Sequence, residues 1–280
     1  MRIITDSTAD LTKEAYDENG VDLVPLTIHL GERTWRDFYD VRPEEYYALL
    51  RSSKAFPSTS QPSPQDFVAA FEPWVAKGEP ILSIHLSSKL SGTYQSAVLA
   101  KTHFPGATIE VIDSMQASLG LALVVLLCAR KSREEKAFEE VCSFARGLLP
   151  NVQTYFSVDS LDHLQKGGRI GKAQALLGAL MKVKPLLTLT NGEVQPLEKI
   201  RTTERLLGRF VELIADATKR GAEIYLTTGE SDNTDTMNEL RTRLLALPHV
   251  NLLFRCKLGG VITSHAGPGA LAISFVESDK

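Results

Sequence analysis

The chain has 280 residues, 43% of them apolar, and sets 31 basic against 34 acidic side chains for a formal charge of -3. That length can bury a sizeable core and suits two domains better than one. The near-balance of charge gives no basic excess for a phosphate backbone, so nucleic acid is not an expected partner. Cys128, Cys142 and Cys256 are odd in number, far apart and set among apolar or helical neighbours. They read as reduced core residues of a cytoplasmic protein, without metal-ligand spacing. The opening MRIITDSTAD has no apolar run that would serve as a secretory signal. The longest apolar stretch, residues 119–129, falls well short of the roughly twenty residues a membrane span needs, so it predicts a buried helix and no stable membrane insertion.

In chain order, a short apolar strand at residues 2–4 gives way to Thr5, Asp6, Ser7, Thr8 and Asp10, then to the helical spacing of Leu11, Ala15 and Tyr16. Residues 21–30 read as a strand broken by Pro25. Residues 31–39, with Trp35, Arg36, Asp37 and Tyr39, read as a hairpin or loop. A helix starts at Pro43, with Glu44 and Glu45 in its first turn and Tyr46, Leu49 and Leu50 on its buried side. The prolines of residues 57–64, PSTSQPSP, forbid a helix or a central strand and leave an ordered hydroxyl-rich loop or a linker. A helix at 65–76 precedes an apolar strand at 81–86, which empties into Ser87, Ser88, Ser91, Gly92 and Thr93 before a helix at 94–103. A strand at 108–112 ends in Asp113 and Ser114, ahead of an apolar helix at 117–130 and a helix at 132–149 charged on one face.

Pro150 and Asn151 mark the best boundary, giving domains 1–150 and 151–280. Beyond it lie a strand at 152–158, a helix at 174–182, and strands at 185–190 and 193–200 around Asn191-Gly192, a strong hairpin signal. A helix at 204–220, a strand at 223–228, a helix at 235–247 and strands at 251–256 and 270–276 complete the chain. The alternation predicts an α/β fold with an N-terminal three-layer α/β/α domain on a mostly parallel sheet and a C-terminal α/β domain on a mixed sheet.

Three strands of the first half thus end in Ser, Thr or Asp. In open parallel sheets ligands bind beyond the carboxyl ends of the strands, so these residues point to one shared site. Hydroxyls and free N–H groups at a strand-to-helix crossing suit an anion, although Ser91 alone equally reads as a helix cap. The run Gly167-Gly168-Arg169-Ile170-Gly171-Lys172 is not an ATP-binding phosphate loop, because Lys166 stands where its first glycine belongs and Ala173 where Ser or Thr must follow. What remains is a turn presenting Lys166, Arg169 and Lys172 to an anion or to solvent. His265 lies among small residues before Gly267-Pro268-Gly269, a fixed backbone path; it suits a structural role, a carboxylate or phosphate ligand, or a base. Ser91, His265 and Asp6 or Asp113 make a hydrolase triad only on paper, since Lys89-Leu90-Ser91-Gly92 is not the G-x-S-x-G elbow.

TDSTADL from Thr5, STSQPSP from Ser58, LSSKLSGTYQSA from Leu86, IDS from Ile112, LQKGGRIGKAQALLG from Leu164 and SHAGPGALAI from Ser264 occur in that order, and together the chain resembles the DegV family of bacterial fatty-acid-binding proteins across its whole length. The resemblance implies two α/β domains with a long-chain fatty acid as ligand in a tunnel between them, and no cofactor. It implies Thr59 and Ser91 at the carboxylate, His265 close by and Arg169 at the rim, with Ser60, Gly92, Thr93 and Gly267 completing the ligand site. It also implies a carrier role without independent catalysis, in which a separate ATP-binding fatty acid kinase subunit phosphorylates the presented carboxylate for phospholipid synthesis. The apolar helices at 119–129 and 175–181 are candidate tunnel walls, or ordinary core. The chain departs from the family pattern at Thr202-Thr203-Glu204, where Gly, Arg and Lys are frequent, and at Ala266, where Thr or Val is common. The alternative from another class is a stand-alone Ser/His hydrolase or a small-molecule phosphotransferase.

Overall fold

The computed structural model describes residues 1–134, 136–177, 183–219 and 221–278. The chain begins with β1 (Arg2–Asp6), α1 (Lys13–Asn19) and β2 (Val21–Val24), and Pro25 separates β2 from the hairpin of β3 (Thr27–Leu30) and β4 (Arg33–Arg36). Then follow α2 (Pro43–Ser52), β5 (Ser58–Ser60), α3 (Pro64–Val75), β6 (Ile81–His85), α4 (Thr93–Lys101), β7 (Ile109–Asp113), α5 (Leu119–Arg133) and α6 (Phe138–Leu148). The second half comprises β8 (Gln153–Ser157), α7 (Asp162–Lys166), β9 (Lys184–Thr190), β10 (Glu193–Ile200), α8 (Thr203–Thr218), β11 (Ile224–Glu230), α9 (Thr234–Leu245), β12 (Val250–Lys257), α10 (Gly260–Ala266) and β13 (Leu271–Glu277).

Two principal sheets divide these elements. The first runs β2-β1-β6-β7, all parallel, and alternate residues of its strands face opposite layers. Ile4, Val24 and Ile81 meet Phe67 and Phe71 of α3, while Ile3, Val21 and Leu82 meet α1 and α5. The second runs β10-β9-β8-β13-β11-β12 and is mixed, with β11 and β12 parallel and its other pairs antiparallel. A small antiparallel sheet, β4-β3-β5, uses the hydroxyl-rich segment as an edge strand, the one sheet position its flanking prolines tolerate. The fold is the expected α/β pair of units, and Pro150–Asn151 lies in a short turn between α6 and β8.

Helix α5 lies between the sheets, packed against β1 and β6 of the first and β8, β11 and β13 of the second. Every residue from Leu119 to Ala129 is buried. A helix apolar on all sides has no solvent face to keep, which is why its sequence carries no amphipathic stripe. The Asn191-Gly192 hairpin forms as expected, with φ of 52° and 79°. Its tip docks across the molecule, where the Ser87 hydroxyl donates to the Gly192 carbonyl at 2.9 Å. A Cβ on Gly192 would stand 2.3 Å from that hydroxyl oxygen, so the contact requires glycine.

Two expectations are corrected. The single helix expected at 132–149 is interrupted: α5 is capped at Glu134 and α6 starts at Phe138, so that Val141, Cys142 and Ala145 fold back onto α5 instead of running on into solvent. The helix expected at 174–182 is instead a 3-10 segment, Gly171–Leu176, seated on β10 because Gly171 lets the Val194 carbonyl approach; residues 178–182 lie outside the described residues. The glycine-rich run at 259–269 contains a helix, α10, whose caps come from distant residues.

Truncating Leu123→Ala, fully buried in α5, is expected to cost about 2–5 kcal/mol in urea unfolding. An unchanged midpoint would remove α5 from the core.

Candidate functional site

Between the two sheets lies a cavity of about 350 Å³. Its floor is one face of the second sheet, Thr154 and Phe156 of β8, Leu189 of β9, Val194 of β10 and the small residues Ala270 and Ala272. Across from them stand Leu86, Leu90, Leu119 and Ile262, so most of the enclosure is hydrocarbon. Polar groups gather in the wall: Thr59, Ser60, Gln61, Ser91, Arg169 and His265. Few polar groups in an apolar pocket of this size are the usual make-up of a small-molecule site.

Register places Thr59. It pairs with Ile28 of β3, and its hydroxyl lies 2.8 Å from Nε2 of His265. The neighbouring Ser60 hydroxyl is engaged by His29 at 2.8 Å. Ser91 lines the cavity but does not cap α4, whose cap position is Gly92; its oxygen accepts the Thr93 N–H at 3.3 Å and lies 2.9 Å from the Thr93 hydroxyl. Arg169 donates to the Leu90 carbonyl at 2.9 Å and the Gly167 carbonyl at 2.6 Å. Two carbonyl dipoles thus orient its charge without neutralising it.

Gly92, Thr93 and Gly267 do not line the cavity. Gly92 makes room for Gln61, whose oxygen would sit 2.3 Å from a Cβ there. Thr93 is fully buried behind Ser91. Gly267, at φ 79°, turns the chain out of α10 beside His163. Gln61 is the wall residue that sequence reasoning missed, although it stands within the STSQPSP motif; its amide donates to Ser96 at 3.2 Å. The cations of the glycine-rich turn separate, for Arg169 faces the cavity, Lys166 lies over the Phe56 ring at 4.9 Å, and Lys172 is exposed. Of the two candidate wall helices, α5 contributes Leu119, and its other buried residues are core.

Burial holds the imidazole of His265 down to about 4, with the charges of Arg169 and His163 adding to the effect. It is therefore neutral at pH 7. Its buried Nδ1 has no hydrogen-bond partner among the described residues. That atom packs against Gly167, where a Cβ would stand 2.3 Å from it, so it is closed off from a ligand, and Nε2 is the ring atom shared with Thr59.

The paper triad does not assemble. His265 pairs with Thr59 rather than Ser91, and Asp113 accepts the N–H groups of Ser88 and Met115. Asp6 belongs to another array, Ser83–His85–Asp6, with contacts of 2.6 and 3.0 Å. That order of groups resembles a hydrolase relay, but all three side chains are fully buried and Phe67 packs edge-on against the imidazole at 4.8 Å. No substrate reaches it, so the array ties β1 to β6. Among the described residues no group of three or more His, Cys, Asp or Glu could hold a metal, and no helix is long and apolar enough to cross a membrane.

These features define a class: a two-unit α/β protein with a mostly apolar cavity headed by hydroxyls, an arginine and a neutral histidine. The family model described as an uncharacterised protein of the DegV family matches residues 1–278, and the chain belongs to that family. Protein DegV of Bacillus subtilis is 32% identical over 278 residues, covering 98% of each chain. A DegV domain-containing protein of Caldanaerobacter subterraneus is 34% identical over 275 residues, again 98% of each. Among solved structures, a DegV family protein from Thermus thermophilus described for its fatty acid binding superposes with a TM-score of 0.93 at 36% identity, covering 99% of this chain and 100% of that one. DegV of B. subtilis, described as a fatty acid binding protein, gives 0.90 at 31% identity and 99% coverage of both.

Because the folded pKa of His265 lies below its unfolded value of 6.5, its contribution to stability is complete above pH 6.5 and is lost as pH falls toward 4. The loss amounts to at most about 3 kcal/mol. His265→Gln should remove that slope from the stability profile, and the imidazole should titrate near 4 by NMR. A midpoint near 6.5 would show an open, solvated site.

Proposed function

We propose that the protein binds a long-chain fatty acid in this cavity and presents its carboxylate to a separate ATP-dependent kinase subunit, without catalysing a reaction alone. The observation that carries the first part is the mostly apolar cavity with its polar end, in a chain whose fold matches proteins described as fatty acid binding. Thr59 and Ser91 are the carboxylate's hydroxyl donors, Arg169 supplies uncompensated positive charge, and His265 stands beside them as a neutral donor or acceptor. The tail dominates affinity: a sixteen-carbon chain at about 0.8 kcal/mol per CH₂ gains on the order of 10 kcal/mol, against about 1 kcal/mol for each neutral hydrogen bond.

The kinase step rests on the family resemblance and on the chemistry of the head. Neutral hydroxyls hold a carboxylate without locking it into a tight ion pair, leaving an oxygen able to attack a phosphoryl group. Arg169 and His265 are placed to stabilise the charge on that group.

Gently purified protein should release one long-chain acid per chain in mass spectrometry; an empty cavity or a polar ligand would overturn the binding reading. Ser91→Ala and Thr59→Val should each weaken acid binding by about fivefold. With ATP and a fatty acid kinase subunit, acyl phosphate formation should fall further than binding does. Equal loss of both would confine these residues to binding.

A further inference from the structure

One buried feature lies outside the cavity wall. Helix α10 belongs to the second half of the chain, yet its first turn is held by two carboxyls of the first half. The Asp37 carboxyl accepts the N–H groups of Gly260 at 3.0 Å and Val261 at 3.4 Å. The Asp10 carboxyl accepts the Gly259 N–H at 2.9 Å and the Ser118 hydroxyl at 2.5 Å. Both acids are 0–1% exposed. The glycines are what let the acids approach, since a Cβ on Gly259 would meet Asp10 at 2.8 Å and one on Gly260 would meet Ile28 at 2.3 Å. Two turns on, the same helix delivers His265 to Thr59, and the Tyr46 hydroxyl joins Ser264 at 2.6 Å in between.

We propose that Asp37 is a positioning residue for the ligand site: through α10 its state of protonation sets the placement of His265, so ligand affinity and the proton on Asp37 are linked. A seven-residue helix with both ends fixed moves as one body, and a charge at its N-terminal N–H groups holds it more tightly than a neutral carboxyl does. Burial, opposed by the N–H groups of Gly260 and Val261, pushes the Asp37 carboxyl up to about 7. The groups facing it are Asp10 from the turn after β1, Tyr16 from α1 and Tyr46 from α2; burial raises all three, and the neighbouring carboxyls raise them further. Asp6 adds a more distant charge to Asp10, and Arg36, the adjacent cation, is paired with Asp40. Because linkage is reciprocal, a ligand that needs His265 in the placement held by the ionised acid binds more tightly when Asp37 is charged, and its binding favours that ionisation.

The test follows the His265 ring and the Asp37 carboxyl by carbon NMR in the ligand-free protein. The expected wild-type result is two steps for His265, its own near 4 and a second coinciding with the Asp37 carboxyl near 7. Asp37→Asn should abolish the second step and leave the first. A His265 signal flat through neutral pH, or a second step that persists in Asp37→Asn, would overturn the proposal. Should that variant fail to fold, the agreement or disagreement of the two wild-type midpoints decides. A second arm rests on the fatty-acid reading: oleate affinity should rise by about threefold or more from pH 6 to pH 8 in the wild type and stay level in Asp37→Asn. Failure to bind oleate at all sinks that reading and leaves the NMR result standing, whereas equal pH dependence in both proteins sinks the linkage.

Discussion

The contact on which the molecule turns is a grip of carboxyls on backbone: two acids from the first 37 residues hold three consecutive N–H groups at Gly259, Gly260 and Val261. Those N–H groups open a helix and have no partners of their own within it. Left in a buried junction they would be costly, and buried carboxyls without donors would be costlier still. Each set therefore requires the other. The junction also seats apolar groups, with Val261 packed among Leu26, Ile28, Tyr46 and Tyr47. A segment of the second half is in this way a structural member of the first, and the small sheet bearing Thr59 is built around it.

This grip explains how a cavity survives between two close-packed units. Protein interiors collapse onto voids when they can. Here α5, buried on all sides, lies between the two sheets, α10 is anchored beside the small sheet with His265 bonded to Thr59, and the Gly192 hairpin tip is propped on Ser87. Small side chains on the floor, Ala270 and Ala272, then leave room that larger ones would fill. The space follows from spacers and small residues rather than from weak packing around it.

How far the sequence reveals this depends on the range of the interactions. Strands and helices whose signals are local, such as the Asn191-Gly192 turn or the proline-initiated α2 and α3, stand where periodicity puts them. Helix α10 is illegible because it opens on two glycines, poor helix formers, and its caps lie 249 and 223 residues away. The break between α5 and α6 is likewise tertiary, since helix propensity runs through the interval and only packing on α5 ends it. At the site, Ser91 stands out through its strand-to-helix crossing and His265 through its glycine surroundings, whereas the roles of Thr59 and Arg169 come from family resemblance. No local pattern marks Gln61, whose place in the wall is set by Gly92 across a separate loop.

The two titrating groups at the ends of α10 have opposite effects on stability. As pH rises from about 4 to 7, the unfolded chain gives up the proton that Asp37, raised from 3.8 to about 7, keeps in the fold, which makes the fold less stable. Over nearly the same interval the unfolded chain gives up the proton that His265 refuses in the fold, which makes the fold more stable. The two dependences oppose each other over this interval, and Asp10, whose carboxyl burial also raises, adds to that of Asp37. In the proposed function the hydrocarbon wall supplies most of the affinity, and the ionisable groups modulate it at the head of the site.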